Sequence, residues 1–166
     1  TSIILEVGKQ LSKMGFKRLI LLNAHGGQIS LLNTAARELR KVSPNLNIFP
    51  CFIWSGIHGL SDLLPQNEID NGLHASLAET SLMLAIKPQL VGPERPFEGF
   101  SQNIPEGWSL EGDSPTAWMT NDLSDSGVIG DSRGANEKLG NDLRNLLVKH
   151  WYKLFLSLMS SDWPNE

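Results

Sequence analysis

Two short segments of the chain carry side chains able to do chemistry at neutral pH. His25 lies in "NAHGGQ", directly after the apolar run "RLILLN", and His74 and Glu79 lie in "HASLAETSLML". A histidine side chain can exchange a proton near neutral pH or bind a metal through a ring nitrogen, and a carboxylate can bind a metal or accept a proton. The two segments therefore predict proton transfer, metal binding, or both.

His25 follows a predicted buried strand, and this position is typical of ligand-binding residues. In parallel sheets with helices on both faces, ligands bind outside the carboxyl ends of the strands. Gly26 and Gly27 let the backbone turn tightly and come close to a ligand, and the amide of Asn23 can brace the turn. A histidine that only closes the loop by hydrogen bonding fits the same spacing, so both interpretations stay open.

Glu79 lies on a predicted helix, where its neighbours three and four positions away are mostly small and apolar. A lone charge on a buried face is costly, so a metal ion, a cationic side chain or a helix N-terminus should compensate it. The alternative is that Glu79 lies on a less buried face of the helix, where water solvates its charge. His74 precedes Glu79 by five residues, about 140° around an ideal helix, which favours a place for His74 at the helix entrance.

Helical and strand patterns alternate along the chain. Apolar spacing predicts helices over residues 3–14, 29–42, 75–86 and 136–160, strands over 18–23 and 47–54, and loops over 55–72 and 92–126. Gly15 is placed to cap the first helix, "RLILLN" is expected to be a central strand, and Pro50 predicts an edge or an irregularity in the second. The alternation predicts a parallel sheet with helices on both faces.

Composition narrows the classes of partner. A length of 166 residues fits one domain, and no apolar stretch approaches the roughly 20 residues of a membrane span. The net charge of −4 comes without a basic stripe, which argues against nucleic acid and anionic membranes as partners. The one cysteine, Cys51 in "FPCFIW", is predicted to be a core residue in a reducing cytoplasm.

Four further segments are weaker candidates. His58 in "SGIHGLSD" is predicted either to touch a substrate or to be a plain surface residue, and Trp108 either covers a pocket or contributes to a subunit contact. Asp131 and Arg133 are expected to be structural, since aspartate and glycine suit tight turns. His150 is expected to be a packing or surface residue of the last helix.

Three ordered blocks, "NAHGGQ", "HASLAETSLML" and "SGVIGDSRGANEKLG", resemble the creatininase family of metal-dependent amidohydrolases. The first resembles the family's Asn-x-His-Gly-Gly-Asn turn, the second its His-Ala-Gly-x-x-Glu-Thr-Ser helix, and the third its Gly-Val-x-Gly-Asp segment. The resemblance implies a three-layer α/β/α sandwich with a mainly parallel sheet, over a single domain of residues 1–166. Because the chain opens at Thr1 within a helical pattern, we expect an N-terminal segment that carries further metal ligands to be missing.

The resemblance also implies a reaction. Two divalent metal ions, zinc, manganese or iron, would activate water against a cyclic amide or a related C–N bond of a small molecule. By position, His25 and Glu79 match residues of the metal centre and His74 matches the catalytic histidine, while Gly26, Gly27 and His58 are candidates for substrate binding. The family further implies a homo-oligomer, for which the 92–126 loop and the leucine-rich last helix offer surface.

Departures from the family pattern keep two alternatives open. Gly27 stands where creatininase itself has a glutamate, and Gln28 and Ser76 replace an asparagine and a glycine. His25 and Glu79 alone cannot complete a two-metal site, so this chain is expected to bind metal poorly. The first alternative is therefore a non-catalytic assembly or regulatory homologue that keeps the fold, and the second is a hydrolase of formamide or peptide-type amides.

Overall fold

The structure, a computed structural model, describes residues 1–99 and 104–163, which fall into two compact units. Unit 1 comprises residues 1–57 together with the chain from Lys149 onward, and unit 2 comprises residues 58–148. None of the helices in the described ranges combines the length and apolar composition needed to cross a lipid bilayer. The single domain over residues 1–166 stays a prediction.

Unit 1 is built around two parallel strands that a helix connects. Its elements are helix α1 (Ser2–Lys13), strand β1 (Arg18–Asn23), helix α2 (Ile29–Val42) and strand β2 (Asn47–Phe52). The two strands pair in parallel from Arg18 opposite Asn47 to Asn23 opposite Phe52. Helix α2 buries its small and apolar stripe, Ala35, Ala36 and Leu39.

Helix α1 packs against α2 at Gly8. A Cβ atom on Gly8 would collide with the side chain of Leu39, which is fully buried. The helix ends as its sequence predicts, because Gly15 adopts a φ of +90° and so caps the helix in the left-handed region. The opposite face of α1 is exposed to solvent.

Arg18 ties β1 to the end of the chain's last helix. Its guanidinium donates hydrogen bonds to the carbonyl oxygens of Leu158 at 2.7 Å, Ser161 at 2.7 Å and Trp163 at 2.6 Å. A cation at a helix C-terminus also interacts favourably with the helix dipole. The Trp163 ring packs edge-on against Phe49 of β2, with ring centroids 5.7 Å apart.

Unit 2 contains short helices around a small antiparallel pairing. Its elements are helix α3 (Gln66–Asn71), helix α4 (Leu77–Ile86), strand β3 (Phe97–Glu98), helix α5 (Thr120–Leu123), strand β4 (Gly130–Asp131) and the first part of helix α6 (Glu137–Met159). Strands β3 and β4 pair antiparallel. Its most buried apolar side chains are Leu64, Ala78, Ile129, Leu143 and Leu147.

The predicted α/β class is confirmed, with helices and a parallel sheet, although that sheet is small. Helices α1, α2 and α6 lie within one or two residues of their predicted bounds. Pro50 lies in β2 opposite Leu21, and the described residues pair β2 only with β1, as an edge strand requires.

Three sequence predictions need correction. Neither predicted loop is without secondary structure: the 55–72 segment contains a 3₁₀ turn (Leu60–Asp62) and α3, which begins after Pro65, and the 92–126 segment contains β3 and α5. Strand β1 is not buried on both faces: Leu22 is 48% exposed, since within the described residues β1 has one neighbouring strand. Helix α4 begins at Leu77 rather than Ala75, whose φ of +49° is incompatible with a right-handed helix.

Close packing at Gly140 generates a stability prediction. A Cβ atom on Gly140 of α6 would collide with the backbone carbonyl of Ser81 in α4, and a backbone atom cannot move aside as a side chain can. We expect Gly140→Ala to lower the free energy of unfolding by about 1–3 kcal/mol, although alanine is the better helix former. Urea denaturation of the full chain measures this change.

Gly92→Ala is the matched control, because its added Cβ would meet only the Glu94 carboxylate at an ordinary 3.5 Å. A Gly140→Ala variant as stable as the parent chain would contradict this packing.

Candidate active site

The His25 loop is clamped by a buried amide. The side chain of Asn23, at the end of β1, donates from Nδ2 to the carbonyl oxygen of His25 at 2.7 Å. Its Oδ1 accepts the N–H of the same residue at 3.0 Å. Asn23 is only 7% exposed, so water does not compete with these bonds. The predicted brace is confirmed, and the backbone of His25 is held in one conformation.

The glycines after His25 make room for its ring. Gly26, Gly27 and Gln28 form a 3₁₀ turn that leads directly into α2. A Cβ atom on Gly27 would lie 3.0 Å from Nε2 of His25, closer than such contacts normally are. The imidazole therefore lies against the second glycine, on the exposed side of the loop.

His74 is fixed by its backbone to a neighbouring segment. Its N–H donates to the carbonyl oxygen of Ile129 at 3.1 Å, and the N–H of Ile129 donates back to the carbonyl oxygen of His74 at 2.8 Å. The two residues form an isolated antiparallel bridge. This bridge joins two of the sequence blocks that resemble the family, and His74 lies at the helix entrance as its spacing indicates.

Glu79 lies in the first turn of α4 and folds back toward His74. Its Oε2 accepts the N–H of Ala75 at 2.6 Å and lies 4.0 Å from Nδ1 of His74. The two side chains are 38% and 44% exposed, so both are accessible to a small molecule. A backbone amide at the helix start thus compensates the Glu79 charge. The structure brings these two predicted site residues together.

Sequence reasoning missed a second carboxylate, that of Glu68 in α3. Glu68 is 6% exposed and lies beneath the start of α4. Its Oε1 accepts the N–H of Ala78 at 2.8 Å, and its Oε2 accepts the hydroxyl of Ser76 at 2.5 Å. A side chain from another helix therefore caps α4, whose own N-cap residue Ser76 makes no capping bond.

The same hydroxyl reaches the third family-like block. Ser76 Oγ accepts the N–H of Asp131 at 2.9 Å. Gly130, beside it, has a φ of +138°, and a Cβ atom there would collide with the Ser76 hydroxyl. Helix α3, the start of α4 and β4 are therefore joined through one serine and one glutamate.

Burial raises the pKa of Glu68 above its ordinary value, because desolvation disfavours the charged carboxylate. The hydrogen bonds from Ser76 and Ala78 act in the opposite direction, and the nearby charge of Asp131 adds to the rise. The pKa of Asp131 itself is lowered, mainly by its hydrogen bond from the Arg133 side chain.

The donor set does not fit a complete metal centre. Unit 2 brings together one imidazole and one carboxylate, and in unit 1 His25 is a further nitrogen donor. Within residues 1–99 and 104–163, no three His, Cys, Asp or Glu side chains cluster as metal ligands. Zinc sites ordinarily use three or four protein ligands. Convergence of His25 with His74 and Glu79 stays a prediction.

The weaker candidates are placed as follows. His58 lies in an exposed turn before the 3₁₀ segment, and Trp108 is 60% exposed. Arg133 donates from Nε and Nη2 to the two carboxylate oxygens of Asp131, each at 2.8 Å, and lies over the Phe97 ring, which supports the structural role predicted for this pair. His150 packs edge-on against Trp151 in α6.

The predicted core residue Cys51 is half-buried in β2. Burial raises the pKa of its thiol, which makes it a weak nucleophile.

The buried carboxylate generates a pH prediction. Because the pKa of Glu68 is higher in the folded chain than its ordinary 4.5, stability is lost as pH rises from that value through the folded-state pKa. The Glu68→Gln variant has no ionisable carboxyl group at this position, so it does not lose stability in this way. The free energy of unfolding of Glu68→Gln minus that of the parent should therefore increase between pH 4 and pH 7, to be measured by urea titration at each pH.

Exposed Glu94→Gln provides the control and should show no such trend. A difference between Glu68→Gln and the parent that is flat, or that falls with rising pH, would contradict the raised pKa.

Comparisons with known proteins extend these observations. A family model, Creatininase (creatinine amidohydrolase), matches residues 1–155. A protein of Bacteroides fragilis NCTC 9343 described as a creatinine amidohydrolase has a similar structure, with a TM-score of 0.80 and 21% identity over 98% of this chain and 62% of that one. A comparison with curated protein sequences found no match.

Two creatininase structures are also similar. The manganese form has a TM-score of 0.68 and 19% identity, and a Zn-Zn mutant form has a TM-score of 0.70 and 20% identity. Each covers 96% of this chain, which spans 63% of their length. Sequence identities this low show only that the fold is shared. The family model, in contrast, matches most of the sequence. The chain therefore belongs to the creatininase family.

Proposed function

We propose that this chain acts in the hydrolysis of an amide C–N bond of a small molecule, with His74 as the proton-transfer residue. The observation that carries the proposal is the pairing of His74 with Glu79 at the start of α4, with Nδ1 and Oε2 4.0 Å apart. Membership of the creatininase family supports amide hydrolysis as the reaction. A cyclic amide is the proposed substrate class.

Amide hydrolysis needs a proton at the departing nitrogen, because an amide anion is a poor leaving group. An imidazole held close to the substrate can carry this proton. The bridge to Ile129 fixes the backbone of His74, and Glu79 places a carboxylate beside its ring. Glu79 would orient the imidazole. Both side chains are accessible to a substrate.

Manganese and zinc forms of the similar creatininases support divalent ions as the cofactors. Bound metal ions would lower the pKa of water and polarise the amide carbonyl. Since the described residues do not complete such a centre, the chemistry assigned to this chain is limited to proton transfer at His74. We also propose that the chain forms a homo-oligomer and that it is located in the cytoplasm.

The test compares variants of the full chain supplied with Mn²⁺ or Zn²⁺. Substrates would be creatinine, other cyclic amides, formamide and a dipeptide amide. We expect His74→Asn to lower kcat by about 10²–10⁴-fold, the usual contribution of a general acid or base. Glu79→Gln should lower kcat less, because the glutamate acts through the histidine.

Glu106→Gln is the matched control, since it makes the same change of charge at an exposed glutamate. Thermal unfolding of each variant would separate loss of catalysis from loss of fold. Full activity in His74→Asn would refute the assignment of His74. A parent chain that hydrolyses none of the amides would support the non-catalytic alternative, and cleavage of formamide or the dipeptide amide alone would replace the cyclic substrate.

Metal binding generates a separate prediction. Because the donors described are few, the chain dialysed against Zn²⁺ should retain less than the two ions per chain that a complete centre holds, measured by inductively coupled plasma mass spectrometry. We expect His25→Ala to retain still less, whereas His58→Ala should match the parent. Unchanged metal content in His25→Ala would remove His25 from the set of ligands.

A further inference from the structure

The carboxylate of Glu98, in β3, holds the turn formed by residues 124–127. Its Oε1 accepts the N–H of Asp125 at 2.8 Å, and its Oε2 accepts the N–H of Ser126 at 3.0 Å. The hydroxyl groups of Ser126 and Ser124 also donate to Oε2, the second at 2.9 Å. The Ser126 hydroxyl and then the other donors lower the pKa of Glu98 to about 2, because these hydrogen bonds favour the charged carboxylate. Glu98 is therefore ionised at neutral pH.

The charge on Glu98 also fixes the direction in which the two serine hydroxyls point. A hydroxyl that donates its one hydrogen to a carboxylate has only lone pairs left for other partners. Ser124 Oγ accepts the N–H of Gly127 at 3.0 Å, and Ser126 Oγ accepts the N–H of Val128 at 3.2 Å. The backbone N–H groups of residues 125–128 are thus bonded to Glu98 either directly or through a serine. An uncharged amide at position 98 would offer hydrogens to the same hydroxyls and disturb this arrangement.

The 124–127 turn leads directly into the segment that holds His74. Ile129, two residues after the turn, is 1% exposed and forms the antiparallel bridge with His74. The next residue, Gly130, pairs with Glu98 itself between β4 and β3. Glu98 therefore holds this segment on both sides of Ile129, through its carboxylate before it and through its backbone after it.

We propose that Glu98 is a positioning residue, which locates His74 through the 124–127 turn and Ile129. Loss of the carboxylate would release the turn, and the bridge between Ile129 and His74 would then open more readily. Misplacing a reacting group by about 1 Å can lower a rate by roughly 100-fold, even when the altered residue lies away from the chemistry. The catalytic part of this inference rests on the proposed function of His74, whereas the part that concerns its backbone does not.

Amide hydrogen exchange of the full chain, followed residue by residue by NMR, tests the backbone part without a substrate. We expect Glu98→Gln to speed exchange of the Ile129 and His74 amide hydrogens about tenfold, because the bridge opens locally more often. Exchange at residues 82–85, in the interior of α4, should stay at the parent rate, which separates local opening from a loss of global stability.

Two further variants sharpen the exchange measurement. Ser126→Ala keeps the charge of Glu98 but removes one donor to it, so it should speed exchange at Ile129 and His74 by a smaller factor. Glu94→Gln makes the same change of charge at an exposed glutamate three residues before β3 and should match the parent chain. Unchanged exchange at Ile129 and His74 in Glu98→Gln would overturn the proposal, and so would a uniform rise that includes residues 82–85.

Steady-state kinetics on the amide that the parent chain hydrolyses, with Mn²⁺ or Zn²⁺ supplied, tests the catalytic part. Glu98→Gln should lower kcat about tenfold and leave KM within about twofold, because Glu98 acts on the placement of His74 and not on substrate binding. Faster exchange with an unchanged kcat would refute a positioning role. A parent chain without activity would refute the proposed function and the catalytic part with it, while the exchange rates would still decide whether Glu98 locates the backbone of His74.

Discussion

The buried carboxylate of Glu68 is the interaction on which the candidate site depends. It accepts an N–H group from the first turn of α4 and the hydroxyl of Ser76, and Ser76 in turn accepts the N–H of Asp131. An α-helix begins with N–H groups that have no partner inside the helix, and leaving them buried without an acceptor is costly. The start of α4, and with it Glu79, is therefore located by a residue of α3.

This network gives the family-like blocks a physical meaning. The second block provides His74, Ser76 and Glu79, while Ile129 and Gly130 of the third lie against its first residues. Ile129 anchors the backbone of the histidine, and the missing Cβ of Gly130 leaves space for the serine hydroxyl. Ser76, which departs from the family's glycine, is thus accommodated by hydrogen bonds to both neighbouring segments.

Much of the fold could be predicted because long amphipathic helices carry a clear period. Helices α1, α2 and α6 extend over several turns, and Gly15 after α1 and Asn23 at the end of β1 lie where their chemistry is specific. Helix α3 has six residues of mostly polar type, too few for a periodic signal. Glu68 was missed because its role comes from tertiary contacts with Ser76 and Ala78 that no local pattern encodes.

The end of the described chain is held to the first strand of unit 1. Three backbone carbonyls after and within the last turn of α6 surround the guanidinium of Arg18. Trimming the chain back to Ser160 would remove two of these acceptors and the indole that packs against Phe49, so shortened expression products would leave the Arg18 guanidinium and the Phe49 ring of β2 without these contacts.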